Sequence, residues 1–328
     1  MSMLDGTWPH LVADIGGTHA RFAVAIAPLQ LVAVQVLACA DFPHFIGALR
    51  HYLHALPQYT IRHAAVAIAN PVTGDWVKMT NHHWAFSTES IRVALQWERL
   101  LVLNDFAAQA LAIPHLTDHD VVQVGGDADV PPQQAIALIG PGTGLGVSGL
   151  LPHGQDCVVL AGEGGHIGFA PANPLEAAIW AHAHERFGHV SAERLLSGAG
   201  LVLVYQALCA QKKVVAQQWL AADIAQQAVA GDDALCVAAL QVFCNVLGTV
   251  AAAVALTLGA RGGVYVCGGM VPRFVGFLQA SGFRQRFEDQ GRMSAYLAAI
   301  PVYVVLNPQT GLIGAAAALQ RLLQTHMA

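Results

Sequence analysis

The chain has 328 residues, enough for two domains of ordinary size or for one large domain. Hydrophobic residues make up 55% of it and charged residues only 11%, a composition that excludes an intrinsically disordered protein. The formal net charge is −5, so there is no basic excess with which to bind nucleic acid or an anionic membrane surface.

The first predicted element is a β-hairpin over residues 11–26, whose strands join at a glycine-threonine turn, residues 16–18. The same pattern returns over residues 135–151, around a second turn at residues 142–144. A duplicated hairpin of this kind predicts two α/β lobes, each of which opens with an antiparallel pair of strands.

Apolar runs bounded by turn residues predict further strands and helices along the chain. In chain order they are strands over residues 63–70 and 100–103, helices over 106–113, 174–187, 191–208 and 234–260, strands over 263–267 and 301–306, and a helix over 312–324. Pro, Gly and Asp accumulate between residues 114 and 132, which indicates a domain boundary. We expect a small α/β domain of residues 1–115 plus 307–328 and a large α/β domain of residues 116–306.

The longest predicted helix, residues 234–260, is uncharged and long enough to span a bilayer. Gln241, Asn245 and Thr249 recur along it at helical spacing, and hydrocarbon would leave these polar side chains without partners. We therefore expect a core helix and no membrane association. Residues 1–10 contain an Asp and no Lys or Arg, so we expect no signal peptide and a cytoplasmic protein.

Cysteine and histidine spacing gives no indication of a structural metal site. The six cysteines are scattered without a C-x-x-C pair, so we expect reduced and mostly buried thiols. His182 and His184 would point to different faces of a helix, which argues against a metal ion shared with His189.

The two glycine turns are candidate phosphate-binding sites, because glycine lets an anion approach the backbone and threonine adds a hydroxyl donor. Either turn alone is typical of an ordinary tight hairpin, but the pair favours phosphate binding. No lysine follows a glycine as a P-loop requires, the protein-kinase motifs are absent, and neither turn opens a helix as in a Rossmann fold. Phosphates must therefore be held by main chain, hydroxyls and a metal ion.

Two carboxylates stand at predicted strand ends. Asp14 closes the strand before the first turn and could hold Mg²⁺ through water, although a turn-capping Asp is the alternative. Asp105, with Asn104 beside it, stands where a general base would face a cleft. The same spacing equally fits an Asp105 that is the N-cap of the following helix.

A glycine-flanked acidic segment follows the second hairpin. Glu163 and His166, together with Glu193 further along the chain, have side chains that suit recognition of several hydroxyl groups at once. Taken singly, Glu193 is typical of a charge on a helix surface and His166 of a loop residue.

Several segments in order resemble the bacterial glucokinases of the hexokinase/actin-like superfamily, over nearly the whole chain. They are DIGGTHAR from Asp14, NPVTGDWVKMTNHHWAF from Asn70, LNDF from Leu103, GTGLG from Gly142, GEGGH from Gly162, GHVSAER from Gly188 and GGMVPR from Gly268. The resemblance implies a duplicated, two-lobed actin-like ATPase fold, which is ribonuclease H-like and has a cleft between the lobes. It also implies ATP-dependent phosphorylation of the 6-hydroxyl of D-glucose, with Mg²⁺, by a cytoplasmic homodimer.

The resemblance further implies roles for single residues. The general base is Asp105, and the sugar ligands are Asn104, Asp105, Glu163, His166 and Glu193. The phosphates and Mg²⁺ are held by Asp14, which binds the metal through water, and by Gly16, Gly17, Thr18, Gly142, Thr143 and Gly144, and the adenosine lies over Gly268 and Gly269. The cysteine-rich zinc motif of the related repressor/kinase family is missing, so we expect no zinc. Two positions depart from the family pattern, since His19 replaces a common Asn and Pro141 precedes the second turn.

Two other functions remain open. A kinase for another hexose or for an N-acylhexosamine would share all the phosphate chemistry, although the missing zinc motif argues against acylated substrates. A sugar-sensing regulator without enzyme activity would usually carry a DNA-binding helix-turn-helix, for which residues 1–10 leave no room.

Overall fold

The computed structural model describes residues 8–80, 82–127, 130, 133–154 and 156–325. The chain divides into two compact units, unit 1 (Met1–Leu116 and Asn307–Ala328) and unit 2 (Thr117–Leu306). The prediction of no signal peptide concerns residues 1–10, of which residues 1–7 lie outside the described residues. The predicted domain boundary includes residues 128–129 and 131–132, which also lie outside them.

Strands and helices alternate in both units. Unit 1 begins with β1 (His10–Ile15), β2 (His19–Ala27), β3 (Gln30–Ala38), α1 (Phe45–His54), β4 (His63–Ile68), β5 (Trp76–Lys78), β6 (Ala85–Ser87), α2 (Thr88–Ala94), β7 (Arg99–Asn104) and α3 (Asp105–Ala112). Unit 2 contains β8 (Val121–Gly125), β9 (Ile136–Pro141), β10 (Leu145–His153), β11 (Asp156–Gly162), α4 (Pro174–Phe187), α5 (Gly198–Lys212), α6 (Ala221–Ala230), α7 (Ala234–Leu258), β12 (Val264–Val266), α8 (Val275–Ala280), α9 (Phe283–Glu288), α10 (Ser294–Ala298) and β13 (Val302–Val305). The chain then returns to unit 1 with α11 (Thr310–Thr325).

The main sheet of unit 1 has the strand order β3-β2-β1-β4-β7. Strands β1 to β3 form an antiparallel meander, whereas β1, β4 and β7 run parallel. Side chains of β1 enter two cores: Leu11 and Ile15 pack in one cluster with residues of α1, and Val12 packs in another with residues of α3 and α11. Both faces of the sheet are therefore covered, as parallel sheets require.

Unit 2 repeats this arrangement. Its sheet has the order β11-β10-β9-β12-β13-β8, in which β9 to β11 form an antiparallel meander and β9, β12 and β13 run parallel. The two predicted hairpins are confirmed as β1–β2 and β9–β10. The duplicated α/β fold predicted from the repeat is therefore the observed one.

The long apolar helix is α7, and it is the one helix in the described part of the chain that is long and apolar enough to cross a bilayer. Its side chains supply much of the hydrophobic core of unit 2. Its polar row has protein partners, because Gln241 Nε2 donates to Asn245 Oδ1 over 3.1 Å and Arg286 Nη2 of α9 donates to Thr249 Oγ1 over 2.8 Å. The prediction of a core helix is confirmed.

Two histidines are buried at the amino-terminal ends of the parallel strands β1 and β4. The ring centroids of His10 and His63 lie 5.4 Å apart, and neither Nδ1 atom has a hydrogen-bond partner among the described residues. Burial, aided by the charge that His63 would carry, lowers the pKa of His10 from 6.5 to about 4. Burial also lowers the pKa of His63, against an opposing effect of Glu98. Both rings are therefore neutral near pH 7.

We expect the free energy of unfolding to decrease as the pH falls from 6.5 toward about 4. In this window the unfolded chain takes up a proton at His10 that the folded chain does not, and the linked loss is up to about 3 kcal/mol. Denaturant unfolding at a series of pH values measures it. The variant His10→Phe keeps an aromatic ring and should flatten the pH dependence. An identical slope in the variant would show that His10 is not the responsible group.

Candidate active site

The carboxyl ends of β1, β4 and β7 lie at one edge of the sheet of unit 1, because these strands are parallel neighbours. Just after β4, Ala69 N–H donates to Ile15 O at the end of β1 over 2.9 Å. At the end of β7, Asn104 Nδ2 donates to Asn70 O over 3.5 Å. Ligands of open α/β sheets bind at this kind of edge. It gathers Asp14, the first glycine turn, Asn104 and Asp105.

Asn104 and Asp105 form a hydrogen-bonded pair where β7 passes into α3. Asn104 is the N-cap of α3, since its Oδ1 accepts from Ala107 N–H over 3.0 Å. Asp105 is the first residue of the helix, so the alternative that Asp105 is the N-cap is wrong. Its Oδ1 accepts from Phe106 N–H over 2.9 Å and from Asn104 Nδ2 over 3.1 Å. The carboxylate of Asp105 is therefore held in a fixed orientation.

Asp14 is positioned by the register of the hairpin, in which Arg21 of β2 is its partner. Arg21 Nη1 lies 3.4 Å from Asp14 Oδ2, and the side chain of Asp14 is 18% exposed. Burial raises the pKa of Asp14, and the charge of Arg21 opposes this rise. The carboxylate thus combines an anchored position with access to solvent.

Gly311, in the first turn of α11, makes room for the Asp14 carboxylate. A Cβ at position 311 would lie 2.6 Å from Asp14 Cγ and 2.8 Å from Asp14 Oδ2. Gly311 therefore belongs to this site, although it lies in none of the motifs that predict site residues. The predicted C-terminal helix began one residue later, so no local signal marked this glycine.

The environment of Asp14 suits Mg²⁺. Among the described residues no group of three or more His, Cys, Asp and Glu side chains could hold a metal ion. Mg²⁺ needs no such cage, since it keeps several waters and takes one or two carboxylates together with phosphate oxygens. The Asp14 carboxylate, which is mostly buried and lies in a space that a Cβ at position 311 would fill, meets this requirement.

The first glycine turn is a tight hairpin connection. Gly16 N–H donates to His19 O over 3.0 Å, and Thr18 O accepts from Cys39 N–H over 2.9 Å. Thr18 and His19 are exposed at the tip. The hydroxyl of Thr18 is therefore accessible to a ligand.

The second turn lies against the start of a long helix. Gly142 N–H donates to Gly144 O over 2.8 Å, and Gly142 O accepts from Gly198 N–H at the N-terminus of α5 over 2.9 Å. Ser197 caps this helix through a 3.1 Å bond from Gly200 N–H to its Oγ. The positive end of a helix dipole thus lies beside the turn, an arrangement that favours anions.

Gly268 and Gly269 follow β12, the parallel neighbour of β9, and therefore lie at the same edge of the sheet as the second turn. Gly268 has a φ of +87°, and a Cβ there would lie 2.8 Å from Pro141 O. The backbone at the end of β12 therefore packs closely against the end of β9.

Glu163, His166 and Glu193 are brought together beside the second turn. Glu193 Oε2 accepts from Leu145 N–H over 2.9 Å, and Glu193 Oε1 lies 4.0 Å from His166 Nδ1. Glu163 Oε2 lies 3.9 Å from His166 Nε2. Glu163 and His166 are well exposed, whereas the side chain of Glu193 is only 29% exposed. These three side chains, called the polar cluster below, offer several carboxylate oxygens to a hydroxylated ligand.

The predicted helix over residues 191–208 is wrong at its start. Residues Ala192–Arg194 form a short 3₁₀ turn, and α5 begins at Gly198. Glu193 is therefore neither on a long helix nor a surface charge, because its carboxylate is bound to the backbone of β10. Because the predicted helix begins too early, it also does not predict that the N-terminus of α5 lies beside the second turn.

The predicted site residues thus form two groups, each at the carboxyl edge of the sheet of its own unit. The group in unit 1 offers a fixed carboxylate with an amide and a second carboxylate suited to Mg²⁺. The group in unit 2 offers a backbone turn suited to phosphates and the polar cluster. This chemistry fits transfer of a phosphoryl group to a hydroxyl.

Comparisons with known proteins agree with this chemistry. The family model for glucokinase matches residues 11–322. The chain is 54% identical to the glucokinase of Neisseria meningitidis serogroup C over 312 residues, which are 95% of each chain.

Solved structures share the fold. The crystal structure of a glucokinase from an Antarctic psychrotroph has a TM-score of 0.84 at 37% identity, over 95% of this chain and 99% of that one. A ROK family glucokinase from Streptomyces griseus, solved in complex with glucose and AMPPNP, has a TM-score of 0.62 at 17% identity, over 96% of this chain and 100% of that one. By sequence and by its actin-like ATPase fold, the chain belongs to the glucokinase family.

Proposed function

We propose that this chain is an ATP-dependent glucokinase, which transfers the γ-phosphoryl group of ATP to the 6-hydroxyl of D-glucose. The observation that carries the proposal is the fixed pair of Asn104 and Asp105 at the end of β7 in a member of the glucokinase family. Such a pair suits a base that receives the proton of a sugar hydroxyl.

Asp105 is the general base. The sugar oxygen attacks the γ-phosphorus, the bond from that phosphorus to the β,γ-bridging oxygen breaks, and the hydroxyl proton passes to Asp105. ADP leaves with the electron pair of the broken bond. Because phosphoryl transfer needs little covalent chemistry from the protein, the fixed orientation of Asp105 Oδ1 is its main contribution.

The nucleotide is bound by the two glycine turns, with the hydroxyls of Thr18 and Thr143 as added donors. The position of α5 beside the second turn supports this role, since a helix N-terminus favours phosphate. Asp14 would hold Mg²⁺ through water, and the ion would neutralise charge on the phosphates. Gly268 and Gly269 lie beneath the adenosine.

The sugar is bound by Asn104 and the polar cluster. A carboxylate can accept hydrogen bonds from two neighbouring hydroxyls, and an imidazole adds a donor or an acceptor. These partners can recognise a hexose at several positions at once.

The protein acts as a cytoplasmic homodimer of two-domain chains, with domains of residues 1–115 plus 307–328 and 116–306. The division into compact units next to these positions supports the domain assignment. Exposed apolar side chains on β10 and on the edge strand β11, Leu151, Val158 and Leu160, support burial against a second copy.

A panel of sugars tests the proposed substrate. With ATP and Mg²⁺ in a coupled assay of ADP release, D-glucose should have the highest kcat/KM, ahead of mannose and N-acetylated hexosamines. A higher kcat/KM for another hexose would favour the alternative of a different hexose kinase. No ADP release with any sugar would favour a regulator.

Asp105→Asn tests the general base. Asn keeps an oxygen that accepts from Phe106 N–H, so we expect a folded protein that still binds glucose while kcat falls by at least about 100-fold. Steady-state kinetics and glucose titration calorimetry provide the two readouts. Glu98→Gln, just before the opposite end of β7, is the matched control and should behave as wild type. A kcat close to wild type for Asp105→Asn would remove Asp105 from this role.

Glu163→Ala tests the polar cluster. Loss of its carboxylate should raise the KM for glucose at least about tenfold and leave the KM for ATP within about twofold, because a charged hydrogen-bond partner contributes about 1.5–3 kcal/mol. Glu185→Ala removes an exposed carboxylate from α4 and serves as the control. Equal glucose KM values in the two variants would contradict the role of Glu163.

A further inference from the structure

Glu193 belongs to the polar cluster and also contacts the second glycine turn. Its Oε2 accepts from Leu145 N–H, the first amide after the turn, over 2.9 Å. Gly144 lies so close that a Cβ there would collide with this same oxygen. The carboxylate therefore occupies the space that a side chain at position 144 would take.

The other oxygen of Glu193 points to the polar cluster, 4.0 Å from His166 Nδ1. The backbone beneath Glu193 is held by its own bonds, because Ala192 N–H donates to Ile167 O over 2.9 Å and Arg194 N–H to Ser191 O over 3.0 Å. The carboxylate thus extends from a fixed turn, with one oxygen for the hairpin and one for the cluster.

We infer that Glu193 is a positioning residue for the second glycine turn and couples sugar binding to nucleotide binding. The inference rests on the proposed function and deepens it. A sugar hydroxyl on Oε1 restrains the side chain, and Oε2 passes this restraint to the amide of Leu145. A turn that is already ordered binds phosphates with a smaller loss of conformational entropy, so each ligand strengthens the other.

Binding measurements with glucose and AMPPNP–Mg²⁺ test the coupling by titration calorimetry. For the wild type, saturating glucose should lower the Kd of AMPPNP at least about fivefold. Glu193→Ala should abolish this coupling and raise the Kd of AMPPNP in the absence of glucose severalfold. Glu193→Gln keeps an oxygen for Leu145 N–H, so it should weaken glucose binding while leaving the Kd of AMPPNP without glucose within about twofold.

Two glycine variants test the contact between the second turn and the Glu193 carboxylate by changing the turn instead of Glu193. Gly144→Ala displaces the Glu193 carboxylate and should raise the Kd of glucose at least about fivefold, although position 144 belongs to the phosphate turn. Gly142→Ala has no atom within 4 Å of its new Cβ and should leave the Kd of glucose unchanged. This pair decides the question even if Glu193→Ala fails to fold.

Two outcomes would overturn the inference: equal glucose Kd values in Gly144→Ala and Gly142→Ala, or a Glu193→Ala protein with wild-type coupling. If the variants show these outcomes and the wild type still phosphorylates glucose, the coupling is refuted and the proposed function is not. A wild type that neither binds nor phosphorylates glucose refutes the proposed function instead.

Discussion

The parallel pairing of each hairpin's first strand with later strands is the constraint on which the candidate site depends. In unit 1 the register places Ile15 opposite Ile68, and Ile68 opposite Asn104. Backbone hydrogen bonds therefore bring together strand ends that are far apart in sequence. Because side chains alternate across a strand, a slip of one residue in β1 would move Asp14 to the opposite face and a core residue into its place. Such a slip is unfavourable, because it would bury the Asp14 carboxylate in the apolar cluster that now contains Leu11 and Ile15.

Close backbone approach at glycines is the second feature that the two groups share. A side chain at Gly144 would meet Glu193, and one at Gly311 would meet Asp14. One at Gly165, inside the GEGGH segment, would collide with Leu145 O. The glycines of these motifs therefore have a packing role in addition to any contact with phosphate. A substitution at one of these glycines would displace a carboxylate or a strand that is distant in sequence.

Local patterns allowed the hairpins, the parallel strands and the core helix to be predicted, because strand alternation, turn glycines and helical periodicity are properties of short segments. The choice between Asn104 and Asp105 as N-cap was not predictable, since both residue types accept from helix N–H groups. The bond between Leu145 and Glu193 and the approach of Gly311 to Asp14 join residues far apart in the chain, which no short pattern encodes. The roles of the site residues and the domain boundaries stay predictions.

The return of the chain to unit 1 has a consequence for folding during synthesis. Helix α11 covers one face of the unit 1 sheet, where Leu312 and Ala315 pack with Val12 and Ala65. At 5–20 residues per second, the ribosome takes about 10–40 s to make residues 117–306 before this helix exists. During that interval this face of the nascent sheet is covered only by α3 and exposes apolar side chains, while unit 2 is contiguous and can complete its core first. The last helix thus sets the time at which the environment of Asp14 is complete.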